Sequence, residues 1–233
     1  ALKGTRNVIT QANRTQSVQR VILTSSVAAI YGDVADLSSA KGDQFTEADW
    51  NTSSSLTHQP YSYSKTLAEQ AAWEIASLVL GPGINPLATS ASFNLLKQFG
   101  DGTMKAGMVD LSIGAVDVRD VADAHIAAAF TPTAHGRYII SGHNSSFPEF
   151  ARILRSQFGD IYPFPTKILP KWLVWSIGPF LAENTTRKFI AKNIGLPFRA
   201  ANSKGLKELK LSYRPLKTSI TEMFQQLIDN SLV

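Results

Sequence analysis

The order of apolar and polar residues predicts an α/β fold built on a parallel sheet. A short, fully apolar and β-branched run at Val21–Thr24 is typical of a strand buried in such a sheet. A second apolar run, Ile113–Val118, passes directly into an Ala-rich helical pattern at Val121–Phe130. Strands that alternate with helices in this way form a doubly wound sheet, with ligands bound at the carboxyl ends of the strands.

The elements before residue 80 follow from local patterns. Residues 1–14 predict a helix that opens on apolar Ala-Leu without a capping residue, so the chain is expected to begin within a domain. The Val21–Thr24 strand ends in Ser25-Ser26, and a loop of about 30 residues follows it, long enough to suggest a functional excursion. Residues 45–50 within that loop predict a single helical turn. A helix is expected from Tyr61 to about Ala76, followed by a very short strand at Leu78–Leu80.

The later elements alternate more regularly, and the pattern changes after residue 159. Helices are predicted at 87–99, 121–130 (capped by Asp120), 146–158 and 218–229, and strands at 113–118 and 137–142. Five prolines then punctuate short helical pieces: Pro163, Pro165, Pro170, Pro179 and Pro197. This shift predicts a second, smaller subdomain.

Composition narrows the class of protein. The chain has 233 residues, 44% hydrophobic and 18% charged, as is usual for globular domains. It contains no cysteine, which excludes disulfides and thiolate metal sites. The net charge of +5 is dispersed, apart from a run that is predicted to form one solvated helix face: Lys204, Lys207, Lys210, Arg214 and Lys217. The longest apolar stretch, 168–182, is interrupted by prolines and a lysine. We therefore expect a cytoplasmic protein that binds neither nucleic acid nor membrane.

Tyr61 and Lys65 form the central motif of the chain. Residues four apart on a helix stand on one face, so the phenol and the ammonium should project together. A positive charge beside a phenol favours proton donation near neutral pH, which is the chemistry of a carbonyl reductase. The motif is weak alone. A second Tyr-x-x-x-Lys, at Tyr213–Lys217, contains Pro215, which prevents the helix that would align its two ends.

Several segments together resemble a known family. Residues 21–32 (VILTSSVAAIYG) resemble the serine strand of the extended short-chain dehydrogenases/reductases, and Tyr61–Lys65 matches that family's Tyr-x-x-x-Lys. Residues 64–73 (SKTLAEQAAW), 78–82 (LVLGP) and 116–125 (VDVRDVADAH) resemble the branch of the dihydroflavonol 4-reductases and cinnamoyl-CoA reductases. Residues 4–8 and 207–216 match flanking segments. The order of these matches is more specific than any single motif.

The resemblance implies a Rossmann-like sheet with a smaller mixed α/β substrate subdomain. Residues 1–142 would form part of the dinucleotide-binding domain, with 83–112 contributing to the substrate subdomain, and 143–233 would form most of the latter. The family's glycine-rich turn does not occur in these 233 residues. At about 30 residues per βαβ unit, we expect roughly 80 to 100 residues before Ala1. A second gap, of about 15 residues, is expected between Ala76 and Ser77.

The resemblance also assigns roles to residues. Tyr61 would be the general acid/base, Lys65 would bind the nicotinamide ribose, and Ser26 would hold the substrate oxygen. Ser25 is the competing candidate for the active serine, and Thr24 is a weaker third. Thr24, Ser25, Gly81 and Pro82, with Tyr61 and Lys65, are predicted to contact the cofactor. That cofactor would be NADP(H), with NAD(H) as the alternative, because the segment that selects between them is not in the sequence.

Other polar and aromatic residues receive weaker predictions. Asn7 could anchor a proton-relay water or be an ordinary solvated side chain. Asp117 and Arg119 are expected to orient loops between the subdomains. The four histidines, His58, His125, His135 and His143, lack metal-ligand spacing, and no metal is expected. Residues 168–180, with Trp172 and Trp175, predict either an aromatic lid over an apolar substrate or core packing.

The predicted function is reduction of a carbonyl on a small, largely apolar molecule, or oxidation of the matching alcohol. A homodimer is the expected assembly. Two alternatives stay open: a nucleotide-sugar epimerase or dehydratase with the same fold, and a non-catalytic protein that senses NAD(P). The first usually carries Arg-x-x-Asn-x-Tyr-Gly-Pro where this chain has Leu-Val-Leu-Gly-Pro, and the second usually lacks the Tyr and Lys.

Overall fold

A computed structural model describes residues 2–70, 75–76, 78–83, 91–181 and 185–233. In this part of the chain the helices are α1 (Leu2–Arg14), α2 (Pro60–Gln70), α3 (Ala91–Gly100), α4 (Val118–Phe130), α5 (Phe147–Phe158), α6 (Lys171–Leu181), α7 (Arg187–Asn193), α8 (Ser203–Glu208) and α9 (Leu216–Asp229). The strands are β1 (Ile75–Ala76), β2 (Leu78–Leu80), β3 (Ser112–Asp117), β4 (Ile139–Ile140) and β5 (His143–Ser146). None of these helices is long and apolar enough to cross a membrane.

The chain forms two compact units that alternate along the sequence. Unit 1 consists of Ala1–Ser77, Arg119–Ser141 and Arg199–Tyr213. Unit 2 consists of Leu78–Val118, Gly142–Phe198 and Arg214–Val233. The chain passes from unit 1 to unit 2 between Ser141 and Gly142, and the segment Arg199–Tyr213 packs with unit 1.

Unit 1 is organised around α2. Helix α1 packs on α2, and α2 packs on a 3-10 turn at Val27–Ala29. Strand β1 pairs with β4 in parallel, with Ile75 opposite Ile139 and Ala76 opposite Ile140. The β-branched residues in these pairs favour an extended backbone, and Ile139 is fully buried. Helix α8 packs beside β4.

The long loop after the 3-10 turn is ordered by buried polar contacts. The ring of His58 bonds to the carboxylate of Asp33 at 2.8 Å, and both side chains are buried. The backbone N–H of Phe45 donates to the carbonyl of Arg199, and the Phe45 carbonyl accepts from Ala201, both at 2.8 Å. The helical turn predicted at 45–50 is a reverse turn, because the Asp49 carboxylate accepts from the Thr46 N–H and hydroxyl and closes it.

Unit 2 contains a three-stranded sheet and most of the hydrophobic core. Strand β3 lies between β2, which is parallel to it, and β5, which is antiparallel. Helices α3, α5 and α9 pack against one another and the sheet. Helix α5 begins where the Ser146 hydroxyl accepts from the Glu149 N–H, and it ends at Gly159, whose φ is 64°. The rings of Phe158, Tyr162 and Phe164 surround Phe224 at centroid distances of 5.0–5.3 Å.

The structure corrects four further predictions about local structure. Val21–Thr24 is not a strand: no described residue pairs with it, and Val21 is 41% exposed. Helix α2 ends by Gln70 in the described chain, and Ile75–Ala76 belong to β1 rather than to a helix reaching Ala76. Asp120 lies in the first turn of α4 and does not cap it. The lysine run is not one helix face, because α8 ends at Glu208 and Lys210 has a φ of 56°.

The remaining elements agree with their predictions to within a few residues. Helices α1, α4, α5 and α9 and strands β2 and β3 lie where apolar periodicity placed them. The strand predicted at 137–142 is shorter, with only Ile139–Ile140 paired to β1. Residues 84–90, which include the start of the helix predicted at 87–99, lie outside the described residues.

Candidate active site

Tyr61 and Lys65 lie on one face of α2, as the sequence predicts. The Nζ atom of Lys65 is 5.6 Å from the centroid of the Tyr61 ring. Tyr61 lies in the first turn of the helix and is 63% exposed, so its phenol is open to a ligand. The arrangement joins a proton donor and a fixed positive charge on a rigid element, which is what acid catalysis on a carbonyl requires.

Ser26 begins the 3-10 turn that packs on α2. Its hydroxyl oxygen accepts a hydrogen bond from the Ala28 N–H at 3.2 Å, which leaves the hydroxyl proton free to donate to a substrate. The Ala28 carbonyl accepts from the buried Asn51 amide at 2.7 Å, which holds the serine turn against the long loop. The Thr66 hydroxyl on α2 lies 3.5 Å from the same carbonyl and donates to the Ser62 carbonyl at 2.8 Å.

Ser25 is already engaged inside the unit. Its hydroxyl donates to Oε2 of Glu69 at 2.8 Å, and Oε1 of the same carboxylate accepts from Nε of Arg137 at 2.6 Å. Glu69 is fully buried and Arg137 is 5% exposed. Burial raises the pKa of the Glu69 carboxyl, and the positive charge of Arg137 opposes that shift. Because its proton is committed to Glu69, Ser25 is less suited than Ser26 to bind a substrate.

Thr24, the third predicted serine-strand contact, is hydrogen bonded to His125 across 2.6 Å. Nδ1 of His125 donates to the Val121 carbonyl at 2.7 Å, since a carbonyl can only accept. In the neutral ring Nε2 is therefore an acceptor, and the Thr24 hydroxyl donates to it. His125, to which the sequence assigned no role, thus fixes the end of the Val21–Thr24 segment on α4.

Gly81 and Pro82 lie in unit 2, directly after β2. Gly81 has a φ of 109°, and a Cβ there would lie 3.2 Å from the Asp117 carboxylate, so the turn requires glycine. Asp117 is buried and accepts a hydrogen bond from the Ser219 hydroxyl at 2.6 Å. The turn after Pro82 is held by two bonds between the Gly83 backbone and the Gln226 side chain, of 2.8 and 2.6 Å.

The weaker candidates are spread over the two units. Asn7 is exposed on α1, and Arg119 is half-buried in the first turn of α4. On α6, Val174 is buried against Ile190, whereas Trp172 and Phe180 are 70% and 81% exposed, so core packing does not account for them. No group of three His, Asp or Glu side chains in the described residues is arranged to hold a metal ion.

Sequence reasoning missed three residues that shape the site: Asn51, Glu69 and Arg137. Arg137 also donates to the carbonyls of Glu47 and Asp49 at 2.8 and 2.6 Å, and it stacks on Trp50 at 4.0 Å. One signal was available for Glu69. It follows Tyr61 and Lys65 at the same four-residue spacing, which puts a carboxylate on the same side of the helix as the proposed catalytic pair.

Sequence comparisons relate the chain to known reductases. Residues 1–92 match the 3-beta hydroxysteroid dehydrogenase/isomerase family. The chain is 30% identical to cinnamoyl-CoA reductase CAD2 of Medicago truncatula and 31% identical to cinnamoyl-CoA reductase 1 of Arabidopsis thaliana. Both alignments cover 97% of this chain, and they span 66% and 62% of those relatives, slightly less than two thirds of their length.

A solved structure extends the comparison to the fold. The structure of the yeast methylglyoxal/isovaleraldehyde reductase Gre2 in complex with NADPH superposes on this chain with a TM-score of 0.74 and 23% sequence identity. The superposition covers 100% of this chain and 71% of the Gre2 chain. This likeness confirms the predicted Rossmann-like α/β fold. The sequence relatives confirm the predicted resemblance to the cinnamoyl-CoA reductases within the extended short-chain dehydrogenases/reductases.

Proposed function

We propose that the protein is an NADP(H)-dependent oxidoreductase that interconverts a carbonyl and an alcohol on a small, largely apolar molecule. The observation that carries this proposal is the placement of an exposed Tyr61 phenol beside the Lys65 ammonium on α2. Relatives of about 30% identity that are named reductases support the same function. They favour a reductase over an epimerase or a non-catalytic sensor.

The residues present fit the reacting end of the cofactor. An ammonium next to an accessible phenol suits the ribose and nicotinamide end of a dinucleotide. The glycine-rich turn that would hold the pyrophosphate is not in these 233 residues. NADPH, when bound, supplies the hydride. Its choice over NADH is supported by the NADPH in the Gre2 structure.

The chain's own residues would handle the proton. The Ser26 hydroxyl donates a hydrogen bond to the substrate oxygen and holds it beside Tyr61. The Tyr61 phenol gives its proton to that oxygen as negative charge develops there, and the reverse transfer accompanies alcohol oxidation. The Lys65 charge favours the resulting phenolate and binds the cofactor ribose. Cytoplasmic location and a homodimer are further parts of the proposal.

The test is NADPH oxidation by the full-length protein with a panel of aldehydes and ketones, including aromatic and acyl-thioester carbonyls. We expect turnover that is lost in Tyr61→Phe. Turnover in Tyr61→Phe equal to that of the wild type would rule out the mechanism. Epimerisation of a nucleotide sugar without net NADPH oxidation would favour the epimerase instead.

A further inference from the structure

Glu69 lies on the same helix as the proposed catalytic pair, two turns beyond Tyr61 and one beyond Lys65. Its side chain is fully buried, yet both carboxyl oxygens make directional bonds. Oε2 accepts from the Ser25 hydroxyl at 2.8 Å and Oε1 accepts from Arg137 at 2.6 Å. A buried carboxylate is costly unless it is paired. If this position only had to fill the interior, an apolar residue would serve equally well.

The contacts of Glu69 reach the residue next to Ser26. The Ser25 hydroxyl, directly before Ser26, donates to Glu69 on α2 at 2.8 Å. On the other side of Ser26, the Thr66 hydroxyl lies 3.5 Å from the Ala28 carbonyl, but it donates to the Ser62 carbonyl at 2.8 Å. The Ser25–Glu69 bond therefore ties the residue next to Ser26 to the helix that carries Tyr61 and Lys65.

Arg137 makes this attachment stable in the interior. It balances the charge of Glu69, donates to the carbonyls of Glu47 and Asp49, and stacks on Trp50 at 4.0 Å. The carboxylate is consequently held from the segment before β4 and from the long loop as well as from α2. Hydrogen bonds of fixed direction specify such a geometry more closely than apolar contacts do.

We propose that Glu69 is a positioning residue for the reaction, acting through Ser25 to set Ser26 against Tyr61. This rests on the proposed function, since it concerns the same active site. Ser25 then serves as the connection between Glu69 and Ser26 and not as a substrate or cofactor contact. Arg137 supports the same connection by keeping the Glu69 carboxylate in place.

Ser25→Ala is the sharpest test, because it removes the connection and leaves the Glu69–Arg137 pair intact. In the full-length protein we expect kcat to fall by about tenfold or more, as a small misplacement of reacting groups does. The KM values for NADPH and carbonyl should stay near those of the wild type, whereas the melting temperature should fall, because an oxygen of the buried Glu69 carboxylate loses its donor. Ser25→Thr, which keeps the hydroxyl, should recover most of the loss in kcat.

Ser38→Ala is the matched control, since the Ser38 hydroxyl is exposed and bonds only within its own turn, to the Ala35 carbonyl at 2.9 Å. Amide hydrogen exchange gives a readout that does not depend on turnover. Exchange in the segment 26–30 should become faster in Ser25→Ala, while the amides of α4 keep their protection.

The outcomes separate the two proposals. Equal kcat and equal exchange in Ser25→Ala and Ser38→Ala would overturn the positioning role while leaving a Tyr61-dependent reductase in place. Faster exchange with unchanged kcat would overturn it as well. A wild-type protein without any Tyr61-dependent reduction would instead overturn the proposed function, and with it any role of Glu69 in that reaction.

Discussion

The Nζ atom of Lys65 lies 5.6 Å from the ring centroid of Tyr61, one helical turn away on α2. The pair is presented by a helix that is held in the unit by its buried residues, among them Ser62, Thr66 and Glu69. Because packing fixes the helix and solvent reaches the phenol, changes to Tyr61 should alter catalysis with little effect on folding.

Tyr61→Phe removes the proposed proton donor and leaves the ring. We expect kcat/KM for carbonyl reduction to fall by about a hundredfold or more, the usual contribution of a general acid. Steady-state NADPH oxidation measures this. Tyr63→Phe is the control on the same helix and should retain activity. A similar loss in both variants would point to damage to α2 instead.

Lys65→Met should weaken cofactor binding as well as turnover. A charge-assisted hydrogen bond contributes about 1.5–3 kcal/mol, so kcat/KM for NADPH should fall by about ten- to a hundredfold. Lys65→Arg keeps the charge and should lose less. Fluorescence titration with NADPH would separate binding from turnover, and unchanged affinity in Lys65→Met would contradict the ribose contact.

Gly81→Ala should destabilise unit 2. The φ of 109° is strained for any residue with a side chain, and the new Cβ would press on Asp117 and Val118 at 3.2 Å. We expect a loss of about 1–3 kcal/mol in the free energy of unfolding, measured by urea denaturation. Gly4→Ala is the contrast: it lies within α1 with nothing within 4 Å of the added Cβ, and it should be neutral or stabilising.

Phe224→Ala should be among the more damaging core changes. Its ring is fully buried among Phe158, Tyr162 and Phe164, and truncation leaves a cavity that these rings cannot close. The expected cost is about 3–5 kcal/mol in unfolding free energy. Phe130→Ala, at an exposed helix end, should change it by less than about 0.5 kcal/mol. Equal effects in urea denaturation would contradict the core described for unit 2.

Stability should fall at alkaline pH. Burial raises the pKa of the phenols of Tyr31, Tyr138 and Tyr213. The unfolded chain loses these protons near pH 10 while the folded chain keeps them, so the unfolding free energy decreases as pH rises through that range. Urea denaturation at pH 8 and at pH 10.5 measures this decrease in unfolding free energy; the second pH lies about half a unit above the ordinary tyrosine pKa. In Tyr31→Phe the decrease should be smaller. A profile that is identical in wild type and variant would argue against the burial of Tyr31.

Local patterns predicted those elements whose formation depends mainly on their own residues. The apolar periodicity of α5, with Ser146 before it and Gly159 after it, determines that helix without reference to distant contacts. Val21–Thr24 failed as a strand for the opposite reason: an extended run needs a neighbour to accept its backbone hydrogen bonds, and no pattern within the run reports whether one is present.

The same difference separates the site residues that the sequence predicted from those that it did not. Tyr61 and Lys65 were predicted because their relationship is a spacing along one helix. The contact between Glu69 and Arg137 joins residues 68 apart, and it forms only once β4 and the long loop are in place. Each of these residues taken alone reads as an ordinary surface charge, so sequence reasoning about single segments could not pair them.

The alternation of the two units along the chain constrains how the protein can fold during its synthesis. The backbone of Phe45 bonds to Arg199 and Ala201, and Arg137 must meet Glu69. Unit 1 is thus incomplete until the ribosome has added residues near 213, when most of unit 2 has already emerged. Neither unit can finish folding as an early, independent product, so early release of the nascent chain would yield a molecule with both parts unfinished.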